Sequence, residues 1–82
     1  MALIPVYMPK FGMTMTEGLI IEWYRQEGDT VTEGEPLFSV ETEKATSDVM
    51  TPASGTIVEI GVEAGAEAPV GSIVAYIETP EA

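Results

Sequence analysis

The segment GLIIEWYRQEGDTVTEGEPLFSVET, Gly18 to Thr42, returns 37 positions later as GTIVEIGVEAGAEAPVGSIVAYIET, Gly55 to Thr79, without a gap. Seven pairs are identical: Gly18/Gly55, Ile20/Ile57, Glu22/Glu59, Gly28/Gly65, Gly34/Gly71, Glu41/Glu78 and Thr42/Thr79. Ile21/Val58, Leu37/Val74 and Val40/Ile77 keep their apolar character. The glycine pairs carry most weight, because they mark turns whose backbone needs positive φ. Two copies of one strand-turn-strand unit in a small chain predict a quasi-two-fold sandwich or flattened barrel, each half covering the apolar face of the other.

Around the repeat the sequence reads as β throughout. Leu3 to Pro9 is short, β-rich and interrupted by prolines, which suits an edge strand. Lys10 to Gly18 has glycines near both ends and no sustained period, so it reads as an ordered surface loop with unusual apolar content. Gly18 to Tyr24, Thr30-Val31 and Pro36 to Glu41 are strand-like, separated by Glu27-Gly28-Asp29 and Glu33-Gly34-Glu35. Lys44 to Met50 is the hairpin partner of Pro36 to Glu41. Gly55 to Val62, Ala66 to Ala68 and Ser72 to Glu78 complete the set, and Gly61, Gly65 and Pro69 break any helix of useful length. Residues 1–79 read as one domain and 80–82 as the start of a linker.

Composition narrows the function. The chain has 82 residues, no cysteine and no histidine, and three basic residues against fourteen acidic ones, a net charge of −11. That charge repels nucleic acid and anionic membranes alike and favours basic protein partners. No apolar run is long enough for a membrane span, and the start lacks the basic region of a signal peptide, so a soluble, intracellular location is expected. The common general base and thiol nucleophile are missing, and scattered carboxylates form no recognisable metal loop. Their ordinary use is a solvated surface. Trp23, paired by the repeat with Ile60, is expected in the core, as are Met8 and Met50 as gap fillers, while Met13 and Met15 sit in the exposed loop.

One hairpin breaks the internal symmetry. The first copy ends in Glu41-Thr42 and runs into Glu43-Lys44-Ala45, whereas the second ends in Glu78-Thr79 and leaves the domain. Lys44 is one of two lysines and falls at an exposed bend, at the end remote from the exit point. A lysine at a hairpin tip is most often a hydrated charge. Glu41, Glu43 and Asp48 favour its ammonium form, so it is a poor nucleophile unaided, although another enzyme presenting an activated acyl group could acylate it.

Glu41-Thr42-Glu43-Lys44-Ala45, preceded by Met8-Pro9-Lys10-Phe11-Gly12-Met13-Thr14-Met15-Thr16-Glu17-Gly18 and Glu27-Gly28-Asp29 and followed by Pro52-Ala53-Ser54-Gly55, resembles the lipoyl domain of 2-oxo acid dehydrogenase acyltransferase (E2) components. The resemblance covers nearly the whole chain. It implies an all-β flattened barrel of two four-stranded antiparallel sheets, with lipoic acid joined by an amide to Lys44. It further implies a non-catalytic carrier. The arm would take an acyl group from the thiamine diphosphate-dependent decarboxylase (E1) to the acyltransferase core and be reoxidised by dihydrolipoyl dehydrogenase (E3).

By the same resemblance Glu43 and Ala45, with Glu41, guide a lipoate ligase or lipoyl transferase to the lysine. The loop Phe11, Gly12, Met13, Thr14, Met15, Thr16 and Glu17 contributes to recognition by E1. The loop sequence leans toward pyruvate or acetoin systems, and a bacterial cytoplasmic or mitochondrial matrix location follows. The nearest rival is a biotin carrier domain, which normally has methionine on each side of the lysine; Glu43 and Ala45 differ from that. An unmodified β-sandwich interaction module is the third reading.

Overall fold

The computed structural model describes residues 2–10, 16–42 and 45–80. They form eight strands and no helix: β1 (Ala2–Tyr7), β2 (Glu17–Trp23), β3 (Thr30–Val31), β4 (Pro36–Glu41), β5 (Thr46–Met50), β6 (Gly55–Ile60), β7 (Glu67–Pro69) and β8 (Ile73–Thr79). Two separate four-stranded antiparallel sheets result, ordered β1-β8-β6-β3 and β5-β4-β2-β7. The sheets face each other as a sandwich 37 Å long and 20 Å across. The expected β1 edge strand is indeed at an edge. β2 begins at Glu17, so that residue belongs to a strand rather than to the loop in which the sequence reading set it.

Exchanging β1 with β5, β2 with β6, β3 with β7 and β4 with β8 turns one sheet order into the other. The equivalence extends to individual bonds. Four turns, Gln26–Asp29, Thr32–Glu35, Glu63–Ala66 and Pro69–Ser72, each close with an amide donating back three residues, over 3.0 to 3.1 Å. Each has glycine third, at φ of 93°, 92°, 92° and 87° for Gly28, Gly34, Gly65 and Gly71. That backbone belongs to type II turns and strains any L-residue with a Cβ. The strand bulges also match, at Ile20/Glu22 against β4 and at Ile57/Glu59 against β8.

β1 and β5 correspond as well, but at an offset of 43 rather than 37: Val6 pairs Ala75 as Val49 pairs Phe38. Between the equivalent glycines Gly18 and Gly55 and the strands before them, the chain after β1 is therefore six residues longer than the chain after β5. At the far ends of these strands, Thr42 Oγ1 donates to the Ala45 carbonyl at 3.1 Å, and its equivalent Thr79 Oγ1 donates to the Ala2 carbonyl at 3.5 Å. One half thus joins its strands through residues 43 and 44 where the other half presents residues 2 and 79.

Val6, Met8, Ile20, Leu37, Phe38, Val40, Ile57, Val74 and Ile77 fill the space between the sheets and are at most 2 % exposed. Each such side chain contributes about 1.5–3 kcal/mol relative to exposure. Trp23 is half-buried at the margin of this core, packed at a 41° tilt against Phe38 with ring centroids 4.6 Å apart and donating its indole N–H to the Val62 carbonyl at 2.8 Å. Met8 fills the core as expected. Met50 does not: it lies on an outer face and is 48 % exposed. Among the described residues no buried side-chain polar atom lacks a partner.

Candidate attachment site and its surroundings

Strand pairing assembles the site from four distant stretches. β4 and β5 pair up to Glu41 and Thr46, and beyond them the Thr42 amide donates to the Ala45 carbonyl at 2.8 Å. Only Glu43 and Lys44 connect that last bonded pair in the sequence, and the expectations for them lie outside the described residues. Their neighbours Glu41, Ala45 and Thr46 are exposed. A two-residue connection sealed by backbone and side-chain bonds gives a stiff base for whatever projects from it.

The register brings three more segments to this pole. Leu19 of β2 opposes both Glu41 of β4 and Glu67 of β7, and Glu17 opposes Pro69. Because these residues alternate with the buried Gly18, Ile20, Val40 and Ala68, Glu17, Glu41 and Glu67 share the outer face of this sheet. Across the sandwich, Tyr7 opposes Ile73, and both are exposed. One flank of the pole is acidic and the other apolar.

Of the recognition loop, Phe11, Gly12, Met13, Thr14 and Met15 lie outside the described residues; Thr16 and Glu17 are described. The turn between β7 and β8 holds both ends of that loop. The Val70 amide donates to the Thr16 carbonyl at 2.9 Å, the Met8 amide to the Ser72 carbonyl at 2.9 Å, and the Gly71 amide to the Met8 carbonyl at 2.9 Å. Sequence reasoning missed this turn as part of the site. Its signal was the Gly34/Gly71 repeat pair, since the Gly34 turn holds Thr51 in the same manner at 3.1 and 2.8 Å, through Gly34 and Glu35.

Asp48, expected among the carboxylates around Lys44, opposes Ser39, two pairs inward from Glu41 and Thr46; its relation to Lys44 lies outside the described residues. Its Oδ1 accepts the Tyr24 hydroxyl at 2.8 Å, and that bond raises the Tyr24 phenol above its ordinary pKa, with a smaller opposing contribution from a bond to Ser39. No group of histidine, cysteine or carboxylate side chains suited to a metal ion occurs among the described residues. Among the described residues no helix is long and apolar enough to cross a membrane.

Residues 4–77 match the Biotin_lipoyl family model, described as "Biotin-requiring enzyme". The chain belongs to that family. Curated relatives of this Biotin_lipoyl domain include a dihydrolipoyllysine-residue acetyltransferase component of the chloroplastic pyruvate dehydrogenase complex of Arabidopsis thaliana, 43 % identical over 93 % of this chain and 16 % of the relative. The corresponding component of the acetoin cleaving system of Bacillus subtilis is 38 % identical over 90 % of this chain and 19 % of the relative. That of the pyruvate dehydrogenase complex of Mycobacterium bovis is 40 % identical over 89 % and 13 %. The chain thus spans less than a fifth of the length of each of these.

Among solved structures, the lipoyl domain of the 2-oxoglutarate dehydrogenase complex of Azotobacter vinelandii superposes with a TM-score of 0.77 at 25 % identity, covering 93 % of this chain and 96 % of that one. The urea carboxylase of Kluyveromyces lactis shares the fold, with a TM-score of 0.77 at 22 % identity over 95 % of this chain and 6 % of that one. The all-β, two-sheet expectation holds, and the sheets stay open as a sandwich rather than closing into a barrel. Sequence and fold together are those of a lipoyl domain.

Proposed function

We propose that Lys44 carries lipoate through an amide and that the domain delivers acyl groups within an E2 acyltransferase. One observation carries the reading: in a lipoyl domain, the two residues joining Thr42 to Ala45 interrupt the two-fold at a sealed hairpin, and one of them is the lysine. Bound lipoate would supply a dithiolane that accepts an acyl group and is reoxidised afterwards. The chain's own residues mount and address it. The hairpin fixes the point of attachment, Glu43 and Ala45, with Glu41 beside them, mark the lysine for a lipoate ligase, and Phe11 to Glu17 present a surface to the decarboxylase. The partners are E1, the E2 core, E3 and the ligase; the parent chain is the acyltransferase, and this domain is its non-catalytic carrier.

The acidic surface favours basic partner sites, an attraction that salt weakens. Pyruvate and acetoin systems are the favoured setting, in the bacterial cytoplasm or an organelle matrix. Coexpression with a lipoate ligase and, separately, a biotin ligase, followed by mass spectrometry, tests the attachment. Lipoate on Lys44 and its loss in Lys44→Arg are expected; biotin on Lys44 would overturn the reading. Reductive acylation by pyruvate and acetoin decarboxylases then identifies the complex.

A further inference from the structure

The internal two-fold gives a control for residues on the paired strands, because the same backbone position there occurs twice in one molecule. On the outer face of the first sheet, Leu3, Pro5 and Tyr7 of β1 lie beside Glu78, Tyr76 and Ile73 of β8. Their equivalents on the other sheet are Thr46, Asp48 and Met50 of β5 beside Glu41, Ser39 and Pro36 of β4. At two of these positions the apolar residue of one face, Leu3 or Pro5, is replaced on the other by the exposed Thr46 or Asp48. The fold therefore does not require apolar side chains there. Leu3 is nevertheless 57 % exposed and Tyr7 52 %.

Not every exposed apolar residue carries this signal. Val58 and Ile21 occupy equivalent bulges and are exposed alike, at 43 % and 42 %, so they belong to the architecture. The Leu3-Pro5-Tyr7 row differs in being unbroken. At about 3.3 Å per residue it runs roughly 13 Å along β1 and ends at Tyr7 and Ile73, the apolar flank of the lysine pole. Glu59 opposes Tyr76 and Glu78 opposes Leu3, giving the strip an acidic side.

We propose that this strip is a docking face for the acyl-donating decarboxylase, whose complementary surface has an apolar centre and lysine or arginine along one side. The inference rests on the carrier function proposed above. A partner reaching the lysine pole meets Tyr7 and Ile73 first, and the strip leads from there along the body of the domain. A second copy of this chain fits poorly, because Glu59 and Glu78 would meet their own counterparts on molecules of net charge −11. An anionic membrane is repelled by the same charge.

The test replaces strip residues with those the fold already accepts at the equivalent positions. The lipoylated Leu3→Thr/Pro5→Asp variant is compared with wild type in reductive acylation by pyruvate and acetoin decarboxylases. We expect kcat/KM to fall at least tenfold through KM, wild-type KM to rise with salt, and ligase-catalysed lipoylation to be unchanged. Tyr7→Ser, at an exposed site that does not threaten folding, gives a smaller loss in the same direction. Met50→Ser on the opposite face leaves kcat/KM unchanged. Acylation of Leu3→Thr/Pro5→Asp and Tyr7→Ser at the wild-type rate, or an equal loss in Met50→Ser, would overturn the docking face while leaving the carrier function standing. A lipoylated wild-type domain that neither decarboxylase acylates overturns both.

Discussion

Replacing Gly28 or Gly65 by alanine isolates backbone strain from every other contribution. The two glycines hold the third positions of equivalent turns at φ 93° and 92°, and a Cβ added at either meets no atom within 4 Å. No clash contributes, so the cost is that of forcing an L-residue into left-handed backbone, about 1–2 kcal/mol per site. The sites share no hydrogen bond: Gly28 donates to Ile57 and Gly65 to Ile20. The double variant should therefore lose about 2–4 kcal/mol, by additivity. A domain of this length has roughly 4–12 kcal/mol in all, so the single variants remain folded. Urea unfolding followed by the fluorescence of Trp23, the sole tryptophan, should show midpoints lower by about 1 M per site at a slope near 1.5 kcal/mol/M. D-alanine, which favours positive φ, should restore wild-type stability at either position. D-alanine as harmful as L-alanine, or one site costing over about 1 kcal/mol more than the other, would refute both the strain account and the two-fold equivalence.

Gly55→Ala should be far worse than either turn substitution, because its Cβ would run into the Glu78 carbonyl on the neighbouring strand; loss of cooperative unfolding or a drop of about 3 kcal/mol or more is expected by calorimetry. For Tyr24, the raised folded pKa means that its contribution to stability is complete below the unfolded value and is lost as pH rises through the folded one. Ultraviolet titration should show this phenol ionising late in wild type, its signal absent in Tyr24→Phe and shifted downward in Asp48→Asn; an unchanged titration in Asp48→Asn would remove Asp48 as the cause.

The repeat made the fold legible because its glycines report backbone rather than side-chain chemistry. Among the described residues Gly28, Gly34, Gly65 and Gly71 hold the positive-φ positions, so a 37-residue offset read in letters became a two-fold axis in space. What the letters concealed was the second offset. β1 and β5 share little identity, since edge strands need only an alternating inner face, and their relation emerges only from hydrogen-bonded register. The Val70-Gly71-Ser72 anchor was hidden for the same reason: its bonds are made by backbone groups, which any side chains can supply. Met50 misled because alternation on β5 turns it outward.

The pairing of Ala2 with Thr79, matched at the opposite pole by Ala45 with Thr42, makes the domain a lever rather than a bead. Chain entering at Ala2 or leaving at Thr79 is tethered at one pole, and the arm proposed for the hairpin after Thr42 would work from the other, so the 37 Å body would add its length to the radius such an arm sweeps. Joining residue 79 to residue 2 through a short link and opening the chain between 42 and 45 would reverse that lever without repacking the core. The tether would then be fastened at the pole that holds the hairpin, and the reach gained from the body would be lost.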